Sequence, residues 1–257
     1  MSDTLSSADA AKSAAALAAI DYVKPGMKLG LGTGSTAVWF VKHLGQRIRD
    51  EGLDIIGVPT STRTADQARE EGIQLTTLEE AKWLDLTIDG ADEYDADLAL
   101  IKGGGGALLQ EKIVATASDQ MLVIVDETKF VDTLGAFPLP VEVIGFGMST
   151  TQMLLEEMLE GLDVTGTKVV PREHDGALFV TDEGNHILDL HLGRIGNARQ
   201  LSLVLNQVPG VVENGLFVDI CDVCITGYAD GRVETRDISK EQVDLLPEKN
   251  IFADIAR

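Results

Sequence analysis

The chain has 257 residues, and its 42 Asp and Glu residues outnumber its 21 Lys and Arg residues, which gives a formal net charge of −21. This acidity argues against a binder of nucleic acid or of anionic membrane surfaces, because both attract clustered Lys and Arg. Hydrophobic residues make up 44% of the chain, which excludes a disordered protein. The apolar runs stop short of the ~18 residues of a membrane-spanning helix, and the N-terminus lacks the basic segment of a secretory signal. We therefore expect a cytoplasmic protein.

The first half of the chain alternates helical and strand patterns. Ala8 to Val23 is rich in alanine and predicts a helix, which Pro25-Gly26 ends. Strands are predicted at residues 28–31, 55–58, 86–89, 98–101 and 121–125, and helices after residue 36 and at residues 64–71 and 106–117. Strands that alternate with helices predict an α/β fold with a doubly wound sheet.

The pattern changes after Phe137-Pro138-Leu139-Pro140. Short strands are predicted at residues 141–144, 168–171, 177–181 and 187–192, helices at 150–159 and 199–207, and a hairpin turn at 182–185. This middle region predicts a small α+β domain. The strands of residues 211–225 are expected to rejoin the first sheet.

Two cysteines, Cys221 and Cys224, form the motif Cys-x-x-Cys. Such a pair can be redox-active or supply half of a zinc site. The pair lies inside a predicted strand, residues 216–225, where residues three apart point to opposite faces. Since no second pair accompanies it, and the four histidines lack metal-ligand spacing, we interpret both cysteines as structural.

A glycine-rich segment, Gly30 to Thr36, lies between a predicted strand and a predicted helix. Glycines allow the backbone to turn tightly and to approach an anion, while the helix N-terminus supplies free N–H groups and a positive dipole end. The segment completes neither a dinucleotide-binding fingerprint nor a Walker A motif. It predicts a phosphate or carboxylate site, and the alternative is a helix cap with a tight turn.

Three further loops also follow predicted strands, and ligands of open α/β sheets bind beyond the carboxyl ends of the strands. Asp89, Asp92 and Glu93 place three carboxylates close together, which favours a metal, a cation or the handling of sugar hydroxyls and protons. A solvated turn is the alternative. Lys102 and the four glycines after it supply a cation and a close backbone approach, and Glu111 lies on the helix that they open.

The last of these loops, Asp126-Glu127-Thr128-Lys129, follows the apolar strand at residues 121–125. Its Lys129 is either a ligand-binding cation or an ordinary surface lysine.

Five segments of the chain, GLGTGSTA, TIDGADE, IKGGGGALLQEKI, DETK and FPLPVEV, occur in this order. In these motifs and their spacing the chain resembles the A-type ribose-5-phosphate isomerases of the pentose phosphate pathway, from about residue 8 to residue 228. The resemblance implies a Rossmann-like catalytic domain with a smaller inserted α/β domain. It also implies a homodimer or homotetramer, a sugar phosphate as small-molecule partner, and neither a metal nor an organic cofactor.

The resemblance assigns roles by position. Glu111 matches the catalytic base of the family, and Asp89, Asp92 and Lys102 match its other catalytic residues. The implied substrate-binding residues are Thr33, Gly34, Ser35, Thr36, Asp89, Gly90, Ala91, Asp92, Lys102, Gly103, Gly104, Gly105 and Lys129.

With the resemblance, the chain is predicted to have three parts. Residues 1–137 and 208–235 form the Rossmann-like domain, residues 138–207 form the small α/β domain that serves oligomerisation, and residues 236–257 form a polar C-terminal tail.

The chemistry of these residues is consistent with interconversion of an aldose and a ketose. The reaction moves a proton between C2 and C1 through an enediolate, which a carboxylate such as Glu111 can do. Lys102 and the glycine amides can stabilise the developing oxyanion, while Asp89 and Asp92 can hold hydroxyls and help to open the furanose ring.

Two other classes of protein compete with this hypothesis. One is a different enzyme on the same scaffold, such as an amino-sugar-phosphate deaminase or a CoA transferase, which the combined DGADE and KGGGGALLQEK segments disfavour. The other is a non-catalytic sugar-phosphate sensor, which would need a DNA-binding module, and the chain has no spare basic helix-turn-helix.

The acidity leads to a prediction about salt. We expect the melting temperature to be higher in about 2 M KCl than in about 0.05 M KCl, because salt shortens the range over which like charges repel in the folded state. The same screening weakens phosphate binding by Lys102 and Lys129, so KM should rise with salt. Thermal melts at both concentrations test this halophilic behaviour, and a melting temperature that is unchanged or lower in high salt contradicts it.

Overall fold

The computed structural model describes residues 5–238, and the contacts within the chain divide them into two compact units. The first unit comprises residues 5–90, 110–128 and 220–238, and the second comprises residues 91–109 and 129–219. The strands are β1 Lys28–Leu31, β2 Ile56–Pro59, β3 Leu86–Asp89, β4 Glu93–Tyr94, β5 Leu100–Ile101, β6 Met121–Asp126, β7 Leu139–Val143, β8 Lys168–Pro171, β9 Glu173–His174, β10 Ala177–Leu178, β11 His186–His191, β12 Val211–Asn214, β13 Leu216–Phe217, β14 Val223–Gly227 and β15 Val233–Asp237.

The helices are α1 Ser7–Ala19, α2 Ala37–Glu51, α3 Thr62–Glu70, α4 Leu78–Ala81, α5 Leu108–Thr116, α6 Met148–Leu159 and α7 Ala198–Leu205. Among residues 5–238, no helix is both long enough and apolar enough to cross a membrane.

The first unit is built on a six-stranded sheet in the order β15-β14-β6-β3-β1-β2. Every neighbouring pair is parallel except β14 with β15, which is antiparallel. All six residues of β6 are buried, as the continuous apolar run of a parallel strand covered on both faces requires. From β1 the chain moves first to β2 on one side and then to β3 on the other, which makes a topological switch point. The predicted α/β class with a doubly wound, Rossmann-like sheet is confirmed.

The alanine-rich helix α1 packs very closely on this sheet. Its buried face consists of alanines, and a Cβ at Gly227 of β14 would lie 2.0 Å from the carbonyl oxygen of Ala11. Small side chains on both elements therefore permit backbone contact. The predicted helix of residues 8–23 is shorter in the structure, since α1 ends at Ala19 and a 3-10 turn, Ile20–Tyr22, follows.

The second unit contains a four-stranded antiparallel sheet in the order β12-β7-β11-β8. A three-stranded sheet, β13-β5-β4, and a two-stranded ribbon, β10-β9, complete its strands in the described part of the chain. Helices α6 and α7 contribute Leu155, Leu159, Leu201 and Leu205 to its apolar core, which they share with buried residues of β7 and β11.

The expected return of residues 211–225 to the first sheet is wrong for two of the three strands. Strand β12 pairs with β7 and β13 pairs with β5, both in the second unit, and only β14 joins the six-stranded sheet. Asp219, with φ +58°, lies between β13 and β14 and interrupts the single strand predicted over residues 216–225.

The unit boundaries consequently differ from the predicted domain ranges. Residues 91–109, 129–137 and 208–219 belong to the second unit. Strands β4, β5, β12 and β13 pair there, and Glu93 of β4 binds the N–H groups of Gly135 and Phe137. The predicted tail, residues 236–257, begins inside β15, and its residues 239–257 lie outside the described part of the chain.

Two predicted strands are shorter in the structure. Leu98, with φ +58°, donates its N–H to the carbonyl oxygen of Asp95 at 3.2 Å, so only β5 remains of the strand predicted at residues 98–101. Of residues 177–181, only β10 is a strand, and it pairs with β9. The predicted turn at residues 182–185 does form, closed by the N–H of Thr181 donating to the carbonyl oxygen of Asn185 at 2.9 Å.

The contact between α1 and β14 generates a stability prediction. We expect Gly227→Ala to lower the free energy of unfolding by about 1–3 kcal/mol or more, because the new methyl would overlap a backbone oxygen that cannot rotate away. Urea unfolding followed by circular dichroism measures the change. The control is Gly161→Ala, an exposed site where the nearest atom would lie 3.7 Å away. Equal midpoints for the two variants would contradict the close packing.

Candidate active site

Asp89 lies at the carboxyl end of β3, beside the end of β1 at the switch point of the first unit. Its side chain is completely buried, and its Oδ1 accepts hydrogen bonds from the N–H groups of Thr33 at 3.0 Å and Gly90 at 2.7 Å. A Cβ at Gly32 would lie 2.2 Å from the same oxygen. The first glycine of the Gly32-Thr33-Gly34 turn is therefore required so that the loop can close over the carboxylate.

A cluster of buried hydroxyl groups supports this loop from the adjacent strand. The Thr33 hydroxyl lies 2.8 Å from that of Thr60, 2.7 Å from that of Ser61 and 3.0 Å from that of Thr64. Thr64 in turn donates to the carbonyl oxygen of Gly32 at 3.0 Å. Thr60, Ser61 and Thr64, which follow β2, belong to none of the predicted site motifs. The sequence feature that could have indicated them is a run of Ser and Thr at the end of a predicted strand, on the same edge of the sheet as the glycine loop.

Gly34, Ser35 and Thr36 lead into the first turn of the 15-residue helix α2. Gly34 has φ +126°, Ser35 is exposed and Thr36 is buried. Thr36 occupies the N-cap position, but its hydroxyl makes no capping hydrogen bond to α2. The helix-cap alternative therefore does not account for Thr36, whereas the N-terminus of a long helix suits an anion. Gly90 lies beside this turn, since its Cβ would be 3.9 Å from that of Thr36.

Glu111 lies in the first turn of α5 and is 3% exposed. Helix α5 packs against the sheet further along, at Val114. A Cβ added to Gly30 of β1 would lie 2.7 Å from Cγ1 of Val114. The hydroxyl of Ser118, just after the helix, lies 2.6 Å from the hydroxyl of Thr87. A glycine on β1 thus lets α5 approach the sheet and places the carboxylate of Glu111 in the interior.

In the second unit, the Asp92 side chain lies against the glycine loop. Asp92 Oδ2 accepts the N–H of Gly104 at 2.7 Å, and the Asp92 N–H donates to the carbonyl oxygen of Ile101 at 2.8 Å. The loop is a tight turn in which the Gly106 N–H donates to the carbonyl oxygen of Gly103 at 3.0 Å. Gly103 and Gly106 both have positive φ, at +103° and +83°, and Gly104 and Gly105 between them are exposed.

Lys102 directly precedes this turn and is 2% exposed. Its backbone N–H donates to the carbonyl oxygen of Gly215 at 2.9 Å, and its Nζ lies 5.4 Å from the ring centroid of Phe217 on β13. The aromatic face stabilises the ammonium group by a cation–π interaction. The structure therefore holds a positive charge inside the second unit, next to the glycine loop.

The three carboxylates of the DGADE segment have different environments. Glu93 on β4 is buried and accepts backbone N–H groups from Gly135 at 2.7 Å and Phe137 at 2.5 Å. Its role is to fix the segment before β7. Asp89 and Asp92 bind loops that follow strands. Each of the three carboxylates accepts backbone N–H groups, so the alternative of a solvated turn does not describe this segment.

The remaining predicted site residues lie in the second unit. Ala91 is half-buried and directly follows the boundary at Gly90. Lys129 is half-buried and ends the 3-10 turn Glu127–Lys129 that follows β6. In that turn, Asp126 Oδ1 accepts the Thr128 N–H at 3.0 Å and also the Thr128 hydroxyl.

The predicted site residues are distributed over both units. The first unit holds Thr33 to Thr36, Asp89, Gly90 and Glu111, and the second holds Ala91, Asp92, Lys102 to Gly105 and Lys129.

The two cysteines are buried, and burial raises the pKa of the Cys224 thiol to about 12. A thiol with so high a pKa stays protonated and is a poor nucleophile and metal ligand. In residues 5–238, no cluster of three or more His, Cys, Asp or Glu side chains could hold a metal ion.

Comparison with known proteins places the chain in a family. Residues 56–231 match the family model of ribose 5-phosphate isomerase A (phosphoriboisomerase A). The chain is 64% identical over 261 residues to ribose-5-phosphate isomerase A of Ruegeria pomeroyi, and the match covers 100% of both proteins.

Solved structures agree with this match. Ribose 5-phosphate isomerase A of Methanocaldococcus jannaschii superposes with a TM-score of 0.81 at 42% identity, over 88% of this chain and 97% of that one. A D-ribose-5-phosphate isomerase in complex with phospho-erythronic acid superposes with a TM-score of 0.81 at 37% identity, again over 88% and 97% of the two chains.

The six-stranded sheet with its switch point defines an α/β protein, and the relatives that it matches are enzymes. The chain belongs to the ribose-5-phosphate isomerase A family, so the resemblance found in the sequence motifs is confirmed.

Proposed function

We propose that this protein interconverts D-ribose 5-phosphate and D-ribulose 5-phosphate through an enediolate. The observation that carries the proposal is the burial of three charged side chains at the family's catalytic positions: Asp89, Lys102 and Glu111 are 0%, 2% and 3% exposed. Charged side chains are rarely buried so completely unless they are paired or take part in chemistry.

Glu111 acts as the base of the proposed reaction. Its carboxylate removes the proton from C2 of the open-chain aldose, the electrons of the C–H bond form the C1–C2 double bond, and the electron pair of the C1 carbonyl moves to O1, which gives the enediolate. A proton then passes from the O2 hydroxyl to O1, the C2 carbonyl forms, and the protonated carboxyl of Glu111 returns its proton to C1. Burial at the start of α5 suits this role, since a carboxylate away from bulk water keeps the proton between the two steps. Asp89, whose Oδ1 is fixed by two backbone N–H groups, holds a sugar hydroxyl.

Lys102 stabilises the negative oxygen of the enediolate in this proposal. Its ammonium group is buried, where an opposite charge interacts more strongly than in water. Asp92 handles the ring oxygen and hydroxyl protons when the furanose opens, and the amides of Gly103 to Gly105 approach the substrate closely because these residues have no side chains.

Thr33 to Thr36 and Lys129 bind the substrate, whose phosphate group is a handle that keeps the reacting carbons in register. The glycine turn and the N-terminus of α2 supply N–H donors for an oxyanion. The solved relative in complex with phospho-erythronic acid, a phosphorylated sugar acid, supports a sugar phosphate as the ligand.

The wider setting of the reaction follows from the sequence resemblance and composition. We propose that the protein works in the non-oxidative pentose phosphate pathway of the cytoplasm, as a homodimer or homotetramer, and without a metal or organic cofactor. Its acidic surface adapts it to salt.

A direct assay tests the proposed function. We expect the purified protein to convert ribose 5-phosphate to ribulose 5-phosphate without added metal and in the presence of EDTA, because Lys102 supplies the positive charge that a metal would otherwise supply. A substrate panel that includes an amino-sugar phosphate and an acyl-CoA separates this activity from the two rival enzymes. Activity that EDTA abolishes and a divalent ion restores would contradict the metal-free part.

Replacement of Glu111 tests the proposed base. We expect Glu111→Gln to leave the circular dichroism spectrum unchanged and to lower kcat by about 10²-fold or more, because an amide cannot take the proton. The control is Glu142→Gln, which replaces an equally buried glutamate of β7. Burial raises the pKa of Glu142, so a neutral amide is a close substitute there, and kcat should stay within about twofold of the wild type. A folded Glu111→Gln protein that keeps most of its kcat would show that another group moves the proton.

A further inference from the structure

Arg172 lies between β8 and β9 in the second unit, and its guanidinium group contacts the glycine loop. Its Nη1 donates to the carbonyl oxygen of Gly103 at 2.8 Å and lies 3.3 Å from that of Gly104. Arg172 belongs to none of the predicted site motifs and is separated from Gly103 by 69 positions.

The guanidinium group is itself held in place. Its Nε donates to Asp189 Oδ2 at 2.9 Å and its Nη2 to Asp189 Oδ1 at 2.5 Å, which is the bidentate arrangement that fixes a guanidinium plane. Asp189 lies on β11, in the middle of the four-stranded sheet. The two side chains are only 14% and 20% exposed, so solvent competes little for these bonds. An aromatic ring, that of Phe179, lies 5.9 Å from the guanidinium carbon.

One peptide group joins Arg172 to Asp92. The carbonyl of Gly103 and the N–H of Gly104 belong to the same planar trans peptide and point in opposite directions. Arg172 binds the carbonyl end, and Asp92 Oδ2 accepts the N–H end at 2.7 Å. Glycine on both sides of this peptide would otherwise let it rotate easily. The Gly103 carbonyl also accepts the Gly106 N–H at 3.0 Å, and the three bonds together select one orientation of the peptide. Each bond polarises the peptide in the sense that strengthens the others.

We propose that Arg172, held by Asp189, is a positioning residue for the isomerisation: it orients the Gly103–Gly104 peptide, and that peptide fixes the carboxylate of Asp92. The inference rests on the proposed function, in which Asp92 handles the ring oxygen and hydroxyl protons. Arg172 touches neither the substrate nor a reacting atom in this proposal and acts only through the peptide.

A double-mutant cycle tests this chain of contacts. We expect Arg172→Ala to lower kcat/KM for ribose 5-phosphate about tenfold or more, the scale of a lost hydrogen bond to a charged group. In an Asp92→Ala background, the same change should lower kcat/KM by less than about twofold, because the carboxylate that it positions is gone. Equal effects in the two backgrounds would overturn the proposal, since an arginine that merely supports the fold affects both alike.

The matched control is Arg194→Ala. Arg194 also pairs with an aspartate of the second unit, Asp163, at 2.7 Å, but its side chain is 48% exposed. We expect the kcat/KM of Arg194→Ala to stay within about twofold of that of the wild type. A folded Arg172→Ala protein that is as active as Arg194→Ala would overturn the proposal.

Chemical rescue separates positioning from folding. Methylguanidinium, added at concentrations far below those that unfold the protein, should restore part of the kcat/KM of Arg172→Ala and none of that of Asp92→Ala. If Arg172→Ala does not fold, Arg172→Lys and Asp189→Asn, which retain most of the side-chain volume, take its place in the cycle. Additive effects of these variants with Asp92→Ala overturn the proposal. A wild-type protein without isomerase activity refutes the proposed function instead, so the two failures are distinguishable.

Discussion

The buried carboxylate of Asp89 is the constraint on which the geometry of the first unit depends. It stands where the order of the parallel strands reverses, and it accepts N–H groups from the loop after β1 and from its own successor, Gly90. The loop can reach it only because Gly32 has no side chain. The hydroxyl of Thr33 then binds the Ser and Thr residues that follow β2. One charge thus organises the loops after three neighbouring strands, and the N-terminus of α2 takes its position from them.

The second unit uses the same device, in which a carboxylate orients backbone N–H groups. Asp92 and a peptide of the glycine loop hold each other by a hydrogen bond, and Glu93 fixes the segment before β7. The loop after Lys102 has no side chains of its own, so its conformation is held by its own turn hydrogen bond, by the Asp92 carboxylate on one side and by the Arg172 guanidinium on the other. The acidic cluster that looked uniform in the sequence therefore divides into Asp89 and Asp92, which bind the glycine loops, and Glu93, which binds the segment before β7.

Much of the fold follows from local patterns, because buried parallel strands are short apolar runs that end at Gly or Asp. Strands β1 and β3, which are parallel, have the bounds that the sequence predicts, and so does the antiparallel strand β8. Strand β15 was not predicted, because its residues Val-Glu-Thr-Arg-Asp are mostly exposed and the strand is held by pairing with β14. The candidate residues were found from their motifs, whereas the supports were not. Thr60 contacts Thr33 across 27 positions and Arg172 contacts Gly103 across 69, and no local periodicity encodes such separations.

The two edges of the six-stranded sheet affect the tendency of the protein to aggregate in concentrated solution. A sheet edge offers unpaired backbone groups to which a strand of another chain can add, and this is a common start of aggregation. At one edge, β2 ends in Pro59, which has no N–H, and Gly57 exchanges backbone hydrogen bonds with Gln74 and Thr76, which cover the strand. At the other edge of the described sheet, β15 presents Glu234 and Arg236 to solvent. Charge at one edge and a covering segment at the other oppose the joining of two such sheets.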